Sequence, residues 1–279
     1  MIDFGKSIFE NRRIKGSPFL AAHRGVCGAN VPCNTMTAYK IATDMGADVV
    51  EIDVSISKDG EYFVFHPGME SVFIDPGIKL SELTAEEIDK LYLRNSDRVK
   101  TSYKIPRLTE VLTFLKGKAY INVDKFWTDV EGISRVIREV GVENQVIVKT
   151  STDKKSLDEV KKYAPDFMFV PIVREKDTVT DELIANGVNV IGAEILFESE
   201  DSEVISEEYI KKMHDKGLLI WVNSIIYNER DVLTAYHTDD SAFKISPDHG
   251  WGWLIDHGAD FIQTDWLLPL INYINERTK

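Results

Sequence analysis

The stretch from Val49 to Met69 restricts the fold more than any other part of the chain, because a β pattern there carries two carboxylates and a histidine. Glu51 and Asp53 lie two residues apart in a β-branched run, so both side chains point to one side of a strand. An isolated Glu-x-Asp pair is typical of a solvated surface hairpin. Here the acids lie inside the mostly apolar run 47–56, which favours a functional pair.

The dipeptide Asp59-Gly60 predicts a tight hairpin turn with positive φ at both central positions. A second β run follows the turn at once and ends in His66. If the residues on either side of the turn pair with each other, His66 lies opposite Asp53, with about 5 Å between the Cβ atoms. We therefore expect two acids and a histidine at one end of a hairpin, although a slip of one residue would move His66 to the other face.

The chain otherwise alternates apolar runs with helical patterns. The first apolar run, 18–23, ends in His23, and a helix begins at Thr35 and stops at Gly46. Without the second hairpin arm, eight strand units alternate with helices, which fits an α/β fold of the closed parallel (β/α)8 TIM type in one domain, 1–279. A doubly wound open sheet is the alternative, but the chain has neither a G-x-G-x-x-G nor a G-x-x-x-x-G-K-S/T motif. The strand units after the hairpin are expected at 119–125, 145–149, 167–173, 188–196, 218–224 and 261–265.

Residues 67–105 interrupt this regular pattern. We expect one helix there, opened by a capping box at Thr84 and Glu87, and loop elsewhere. Long irregular segments are often lids or binding loops, so the segment is predicted to be an insertion over the active site. Its apolar side chains would either form a mouth for a lipid-like substrate or, as we favour, pack the insertion onto the barrel; they are Val72, Phe73, Ile74, Leu80, Leu91 and Tyr92.

In a barrel of this kind the chemistry gathers at the C-terminal ends of the strands. For four polar or aromatic residues there we favour structural roles: Lys149 paired with an acid, Trp221 in packing, Asp265 as a helix cap and Glu194 satisfied by backbone groups. The residues at these ends, with His66 added through the hairpin, are His23, Arg24, Glu51, Asp53, Asp124, Lys125, Lys149, Glu194, Trp221, Asn223 and Asp265.

Three of these carboxylates, Glu51, Asp53 and Asp124, fall on neighbouring strand ends. Oxygen ligands of this kind suit Mg²⁺ or Ca²⁺ better than zinc. A cation beside two histidines and an arginine indicates attack at a phosphorus centre, with Arg24 holding the anionic oxygens. His23 and His66 would then act as general base and acid.

The formal net charge of −13 argues against nucleic acid as a partner, because most of the surface would repel a polyanion, whereas a small phosphorylated substrate is compatible with it. The chain has no apolar run of the roughly 20 residues that a membrane span requires, and its N-terminus has no signal-peptide pattern. We therefore expect a cytoplasmic protein. Cys27 and Cys33 flank a short loop and are close enough in sequence to meet, but we expect a free pair in that compartment.

Taken together, these residues resemble the glycerophosphodiester phosphodiesterase family. The motifs that carry the resemblance follow in the right order over most of the chain. They are HRG at 23–25, P-x-N-T at 32–35, GAD-x-x-E-x-D-V at 46–54, SKDG at 57–60, VFH at 64–66, NVDK at 122–125, WVN at 221–223 and GADFIQTDW at 258–266.

The resemblance implies a TIM-type barrel and a divalent-metal enzyme that cleaves glycerophosphodiesters to sn-glycerol 3-phosphate and an alcohol. In the implied mechanism, the substrate's own glycerol hydroxyl attacks phosphorus, and water then opens the cyclic phosphate. His23 and His66 would be the acid/base pair and Arg24 a phosphate contact, with Lys125 as a weaker candidate for that role. Glu51, Asp53 and Asp124 would be the metal ligands, and the substrate pocket would include Asn34, Lys149, Glu194 and Trp221.

Three departures from the family pattern leave other functions open. Cys33 stands where the family has glutamate, and Pro67 follows His66 where it commonly has aspartate. Asp124 replaces glutamate, and Lys125 is adjacent to it instead of two residues on, so that a regular strand would point Lys125 to the opposite face. The alternatives are a phospholipase-type phosphodiesterase that forms a cyclic phosphate and a non-catalytic member that binds a phospho-ligand.

Overall fold

The computed structural model describes residues 2–228 and 230–278. Eight parallel strands close into a barrel, because β1 pairs with β2 on one side and with β9 on the other. The predicted (β/α)8 fold is therefore confirmed, and the open sheet is excluded. The ninth strand, β3 (Tyr62–Val64), is the second arm of the hairpin and lies antiparallel to β2. The barrel strands are β1 (Phe19–Ala22), β2 (Val49–Ile56), β4 (Tyr120–Asp124), β5 (Val146–Ser151), β6 (Met168–Arg174), β7 (Gly192–Leu196), β8 (Leu219–Asn223) and β9 (Phe261–Thr264).

Helices connect the strands in the predicted alternation. The helix after the first strand begins at an N-cap, Thr35, whose hydroxyl accepts a hydrogen bond from the Ala38 amide, and it ends at Gly46 in the left-handed conformation. The helices are α1 (Ile8–Lys15), α2 (Met36–Met45), α3 (Glu70–Phe73), α4 (Ala85–Ile88), α5 (Leu108–Leu115), α6 (Val130–Val140), α7 (Lys154–Tyr163), α8 (Thr180–Ala185), α9 (Glu207–Asp215), α10 (Asp239–Lys244), α11 (Trp253–Asp256) and α12 (Leu267–Arg277).

The barrel interior has two chemically different layers. Near the N-terminal ends of the strands it is filled by a buried apolar cluster that includes Phe19, Tyr120, Trp221 and Phe261, and Ile8 of α1 packs against the same cluster. One inward-pointing position further along the strands, the side chains are polar. This alternation places the apolar filling below and the polar groups at the C-terminal mouth, as the layered packing of such barrels requires. The upper layer contains Glu51, Asn122, Lys149, Glu194, Asn223 and Gln263.

The segment 67–105 packs against the hairpin. The predicted capping box is present, because the Thr84 amide donates to Glu87 Oε2 at 2.8 Å and the Glu87 amide donates to the Thr84 hydroxyl. Phe63 and Phe65 of the hairpin join a separate apolar cluster. Packing of the insertion is thus the main use of its apolar side chains; the cluster includes Phe73, Ile74, Leu80, Ile88, Leu91, Leu93 and Ile105. Tyr92 is 39% exposed, with Lys104 Nζ 3.6 Å from its ring centre.

None of the helices formed by the described residues is both long enough and apolar enough to cross a lipid bilayer.

Candidate active site

Three carboxylates meet at the C-terminal mouth of the barrel. Glu51 and Asp53 project from β2, and Asp124 ends the neighbouring strand β4, where its Cα is paired in register with that of Asp53. Glu51 and Asp53 are buried, and one oxygen from each of the three acids lies within 4.8 Å of the others. The carboxylate oxygens of Glu51, Asp53 and Asp124 therefore lie close together, as the positions of these residues on neighbouring strand ends predicted.

The charges of this cluster are poorly balanced without a cation. Burial and the neighbouring Asp53 carboxylate raise the pKa of Glu51 to about 8, because both oppose its ionised form. Asp53 Oδ1 is buried and has no hydrogen-bond partner among the described residues. An unsatisfied, buried carboxylate oxygen is costly. The donor set therefore fits a hard divalent cation, which would offset the repulsion and ligate the free oxygen.

Two cations beside the acids depend on an unusual backbone. Arg24 and Lys125 each follow a strand end and adopt positive φ, 58° and 60°. The turn directs Arg24 Nε to 3.0 Å from Asp53 Oδ2, and it directs Lys125 Nζ to 2.7 Å from Asp124 Oδ2. Lys125 thus reaches the site because the strand stops before it, which overcomes the strand alternation that made it a weak candidate.

The two histidines lie on the same mouth in different environments. His23 Nδ1 is 2.8 Å from Asp265 Oδ1, whereas His66 Nε2 is 3.9 Å from Asp53 Oδ1, and neither ring nitrogen of His66 has a hydrogen-bond partner among the described residues. Burial lowers the pKa of His66, and Asp53 offsets only part of this. Burial opposes the charge on His23 too, but the hydrogen bond and charge of Asp265, together with Glu51, raise its pKa. Two groups with pKa values displaced in opposite directions suit an acid and a base.

The predicted hairpin register is wrong by one residue. Val54 pairs with Val64, and the Phe65 amide donates to the Asp53 carbonyl, so Phe65 and not His66 is opposite Asp53. Only Gly60 of the Asp59-Gly60 dipeptide has positive φ, so the connection is a three-residue loop closed by a glycine bulge. His66 still faces the acids, because β3 ends at Val64 and the strand alternation no longer applies to it.

The residues predicted for the substrate pocket divide into two groups. Lys149 and Glu194 line the cavity at the mouth and form an ion pair, Nζ to Oε2 at 2.5 Å. Asn34 and Trp221 lie behind its wall. Asn34 Nδ2 donates to Asp53 Oδ2 at 2.8 Å, and the Trp221 ring stacks on Phe261 with 4.7 Å between centroids.

Two of the favoured structural roles need correction, and two are as expected. Asp265 does not cap the last helix; its carboxylate contacts His23. Glu194 is satisfied by side chains rather than by backbone groups, since Asn223 Nδ2 donates to Glu194 Oε1 at 2.6 Å, in addition to the Lys149 pair. The pairing of Lys149 with an acid and the packing of Trp221 are confirmed.

The cysteine prediction was also wrong, because Cys27 and Cys33 form a disulfide. The bridge closes the loop between β1 and α2, directly before Asn34. A lone short-spaced pair gives no sequence signal that separates two thiols from a bridge, since only the loop conformation decides whether the sulfurs meet.

Several residues that line the cavity were not predicted from the sequence. The cavity has a volume of about 200 Å³. Gln263 lies within β9 and Arg174 is the last residue of β6. A polar residue within or at the end of a barrel strand was therefore the sequence signal that could have identified both as cavity residues. Trp127 comes from a short 3-10 turn, and Tyr227 and Asp231 come from a loop; periodicity predicts nothing in such segments.

Fold and site together define a (β/α)8 barrel with a carboxylate, histidine and arginine cluster at its mouth. A family model described only as a domain of unknown function, DUF4996, matches residues 169–274. A curated glycerophosphodiester phosphodiesterase of Caldanaerobacter subterraneus subsp. tengcongensis is 33% identical over 152 residues, which are 52% of this chain and 62% of that protein. The chain spans less than two thirds of the length of the first curated relatives that it matches.

Solved structures share the fold over almost the whole chain. A glycerophosphoryl diester phosphodiesterase from Parabacteroides distasonis superimposes with a TM-score of 0.75 at 23% identity and covers 94% of this chain and 87% of its own. An Oleispira antarctica phosphodiesterase in complex with sn-glycerol-3-phosphate has a TM-score of 0.67 at 17% identity, over 94% and 98% of the two chains. The curated and structural relatives repeatedly carry the same family name, so the resemblance of this chain to the glycerophosphodiester phosphodiesterases is confirmed.

Proposed function

We propose that this protein is a divalent-metal-dependent glycerophosphodiester phosphodiesterase that hydrolyses glycerophosphodiesters to sn-glycerol 3-phosphate and an alcohol. The observation that carries the proposal is the cluster of Glu51, Asp53 and Asp124, in which Glu51 and Asp53 are buried and one Asp53 oxygen is unsatisfied, flanked by two histidines. The name of the curated relatives and the product complex of the Oleispira protein support the same reaction.

Glu51, Asp53 and Asp124 would hold the cation, Mg²⁺ or Ca²⁺. When bound, such an ion neutralises anionic phosphoryl oxygens and acts as a Lewis acid. Three carboxylates with no nitrogen or sulfur ligand among them favour a hard cation.

Arg24 and Lys125 would bind the phosphate. The Arg24 guanidinium has its Nε 3.0 Å from Asp53 and is only partly exposed, so it remains beside the cluster with donors to spare. Lys125 Nζ is 2.7 Å from Asp124 Oδ2 and 3.9 Å from Asp53 Oδ1, so it borders the same cluster of acids as Arg24. A phosphate bound here would have both cations within reach.

His23 and His66 would exchange protons with the attacking and leaving oxygens. Asp265 orients the His23 ring through Nδ1, which leaves Nε2 for the substrate. Lys149 and Glu194 would line the substrate pocket. Asn34 and Trp221 would support it indirectly, since Asn34 contacts Asp53 and the Trp221 ring contacts Lys149. The whole chain, 1–279, would act as one barrel domain, with 67–105 as an insertion over the site.

The first experiment is to measure sn-glycerol 3-phosphate released from glycerophosphocholine and glycerophosphoethanolamine with Mg²⁺, Ca²⁺ or EDTA. We expect release with a divalent ion and none with EDTA. His66→Ala should lower the rate by about 10²–10⁴-fold, the usual contribution of a general acid or base. The matched control is His257→Ala, which changes an exposed histidine directly after α11 and should retain full activity.

Calorimetric titration with Mg²⁺ or Ca²⁺ separates binding from turnover. Asp53→Asn should abolish binding of the ion, while His66→Ala should keep it. A wild-type protein that binds the ion but returns every diester intact would refute the enzyme and favour a phospho-ligand-binding role. Release that continues unchanged in EDTA would refute the metal.

A further inference from the structure

Two cavities open on the same side chains at the barrel mouth. The site cavity of about 200 Å³ and a second cavity of about 650 Å³ are both lined by His23, Arg24 and Tyr227. A phosphate held by Arg24 and His23 would therefore border on both cavities, with one ester arm free to enter each.

The second cavity has mostly apolar walls, and we call it the apolar groove. It lies between the loop that follows β8 and the start of α12. Asp265 is its carboxylate, and the Cys27–Cys33 bridge forms part of one wall. The apolar groove is lined chiefly by Val26, Met45, Ile226, Trp266, Leu268 and Pro269.

Several of these side chains are more exposed than apolar residues in packing positions. Ile226 is 58% exposed, Trp266 is 54% exposed and Leu268 is 44% exposed. Trp266 makes an edge contact with the ring of Phe243, at 5.0 Å between centroids, and much of its surface stays accessible. Contiguous exposed apolar surface beside a catalytic mouth is typical of a binding site.

The site cavity has the opposite character. Lys149 and Glu194 line it as an ion pair, and its amide side chains include Asn223 and Gln263. Asn223 Oδ1 and Gln263 Oε1 are buried and have no hydrogen-bond partner among the described residues. Buried acceptors of this kind suit the hydroxyl groups of a polyol, which would donate to them.

We propose that the preferred substrate is an amphiphilic phosphodiester whose polyol arm enters the site cavity and whose other arm, an apolar alcohol, enters the apolar groove. This inference rests on the proposed function. Hydrolysis breaks the bond between phosphorus and the oxygen of the apolar arm; water supplies a hydroxyl to phosphorus and a proton to the released alcohol. The Asp265 side chain is 46% exposed at the rim of the groove, and its negative charge disfavours an anionic arm.

A cationic arm is the competing occupant, since Asp265 and two aromatic rings border the groove. Arg24 also lines the groove and opposes a cation, and most of the remaining lining is apolar. The neutral isostere of choline, 3,3-dimethylbutanol, distinguishes the two, because it has the same shape without the charge. The apolar groove should prefer the isostere.

The test measures kcat/KM for glycerol 3-phosphate esters of methanol, butanol, 3,3-dimethylbutanol and choline, all below their aggregation limits. Full burial of one methylene is worth about a fourfold gain, so the butyl ester should exceed the methyl ester by about tenfold with partial burial. Ile226→Ser/Leu268→Ser should remove most of that gain and bring the ratio of kcat/KM for the butyl and methyl esters close to one. Ile14→Ser, at a 65% exposed position on α1, is the matched control and should keep it.

Equal kcat/KM for the methyl and butyl esters would overturn the inference, as would a preference for choline over its isostere. An effect of Ile14→Ser equal to that of the double variant would also overturn it, because the gain would then not arise in the groove. Failure to cleave any of the four esters would instead refute the proposed function, so the two failures are distinguishable. Circular dichroism of the serine variants would check that they are folded.

Discussion

At the scale of single residues, Lys149 shows how a charge is kept inside this barrel. Its ammonium pairs with Glu194 and lies 3.3 Å from the centre of the Trp221 ring. Burial lowers the pKa of Lys149, and the Glu194 charge opposes that shift. Each charge of the Lys149–Glu194 pair stabilises the other, so removal of one side chain leaves an uncompensated buried charge.

Lys149→Met should therefore destabilise the protein by about 3–5 kcal/mol, the usual cost of breaking a buried pair from one side. Lys149→Met/Glu194→Gln should recover more than half of that loss, because the Gln carbonyl still accepts from Asn223 and no charge is left. Urea unfolding of the wild type, both single variants and the double variant measures the coupling. Single variants as stable as the wild type would contradict the prediction.

At the scale of elements, the hairpin decides which side chains meet at the site. Its three-residue loop requires a left-handed residue, and Gly60 supplies it at φ 85°. Asp59 has another use: its Oδ1 accepts from the Ala85 amide at 2.9 Å and ties the insertion to the turn. A two-residue turn would have shifted β3 by one position relative to β2.

Gly60→Ala should cost about 1 kcal/mol in unfolding free energy, because an L side chain is strained in the left-handed region. A Cβ at this position would meet no atom within 4 Å, so the loss arises from the backbone and not from a clash. Gly5→Ala is the control, because φ there is not in that region and the added Cβ would meet only the exposed Asp3 side chain, with Oδ1 at 3.1 Å; it should cost less than Gly60→Ala. Thermal unfolding of both variants measures the difference; equal stability would show that the loop tolerates another turn type.

At the scale of the whole molecule, the two ends of the barrel differ in how their charges are balanced. The C-terminal mouth holds the poorly balanced carboxylates, whereas the N-terminal end is held by paired charges. Asp260 there accepts from the Ile220 amide at 3.0 Å, and its carboxylate lies 2.9 Å from His214 Nε2 and 3.1 Å from Arg12 Nη2. These contacts connect α1, α9 and the start of two strands.

This arrangement predicts a pH-dependent share of the stability. The hydrogen bond to Asp260 raises the pKa of His214, with burial and Arg12 opposing it and Asp215 adding to it. A raised folded pKa means that the stabilisation is complete below the unfolded value of about 6.5 and is lost as the pH rises through the folded value. Because the His214 side chain is 39% exposed, the full effect should be only about 0.5–1 kcal/mol.

The measurement compares the unfolding free energies of the wild type and His214→Gln between pH 5.5 and 9. We expect the free energy of unfolding of the wild type relative to the variant to fall by about 0.5–1 kcal/mol between pH 5.5 and pH 9. A difference that grows with pH would contradict the assigned direction of the shift. Subtracting the variant cancels the titration of all other groups that the two proteins share.

The sequence by itself determined the barrel, its strand count and the carboxylates, histidines and arginine at its mouth. Local periodicity, caps and strand-end polarity are encoded in neighbouring residues, so Glu51, Asp53 and Thr35 could be interpreted without coordinates. Only the tertiary structure decided the hairpin register, the Cys27–Cys33 bridge and the contact of Asp265 with His23. These depend on one residue of turn geometry or on groups far apart in the chain, for which no local pattern carries information.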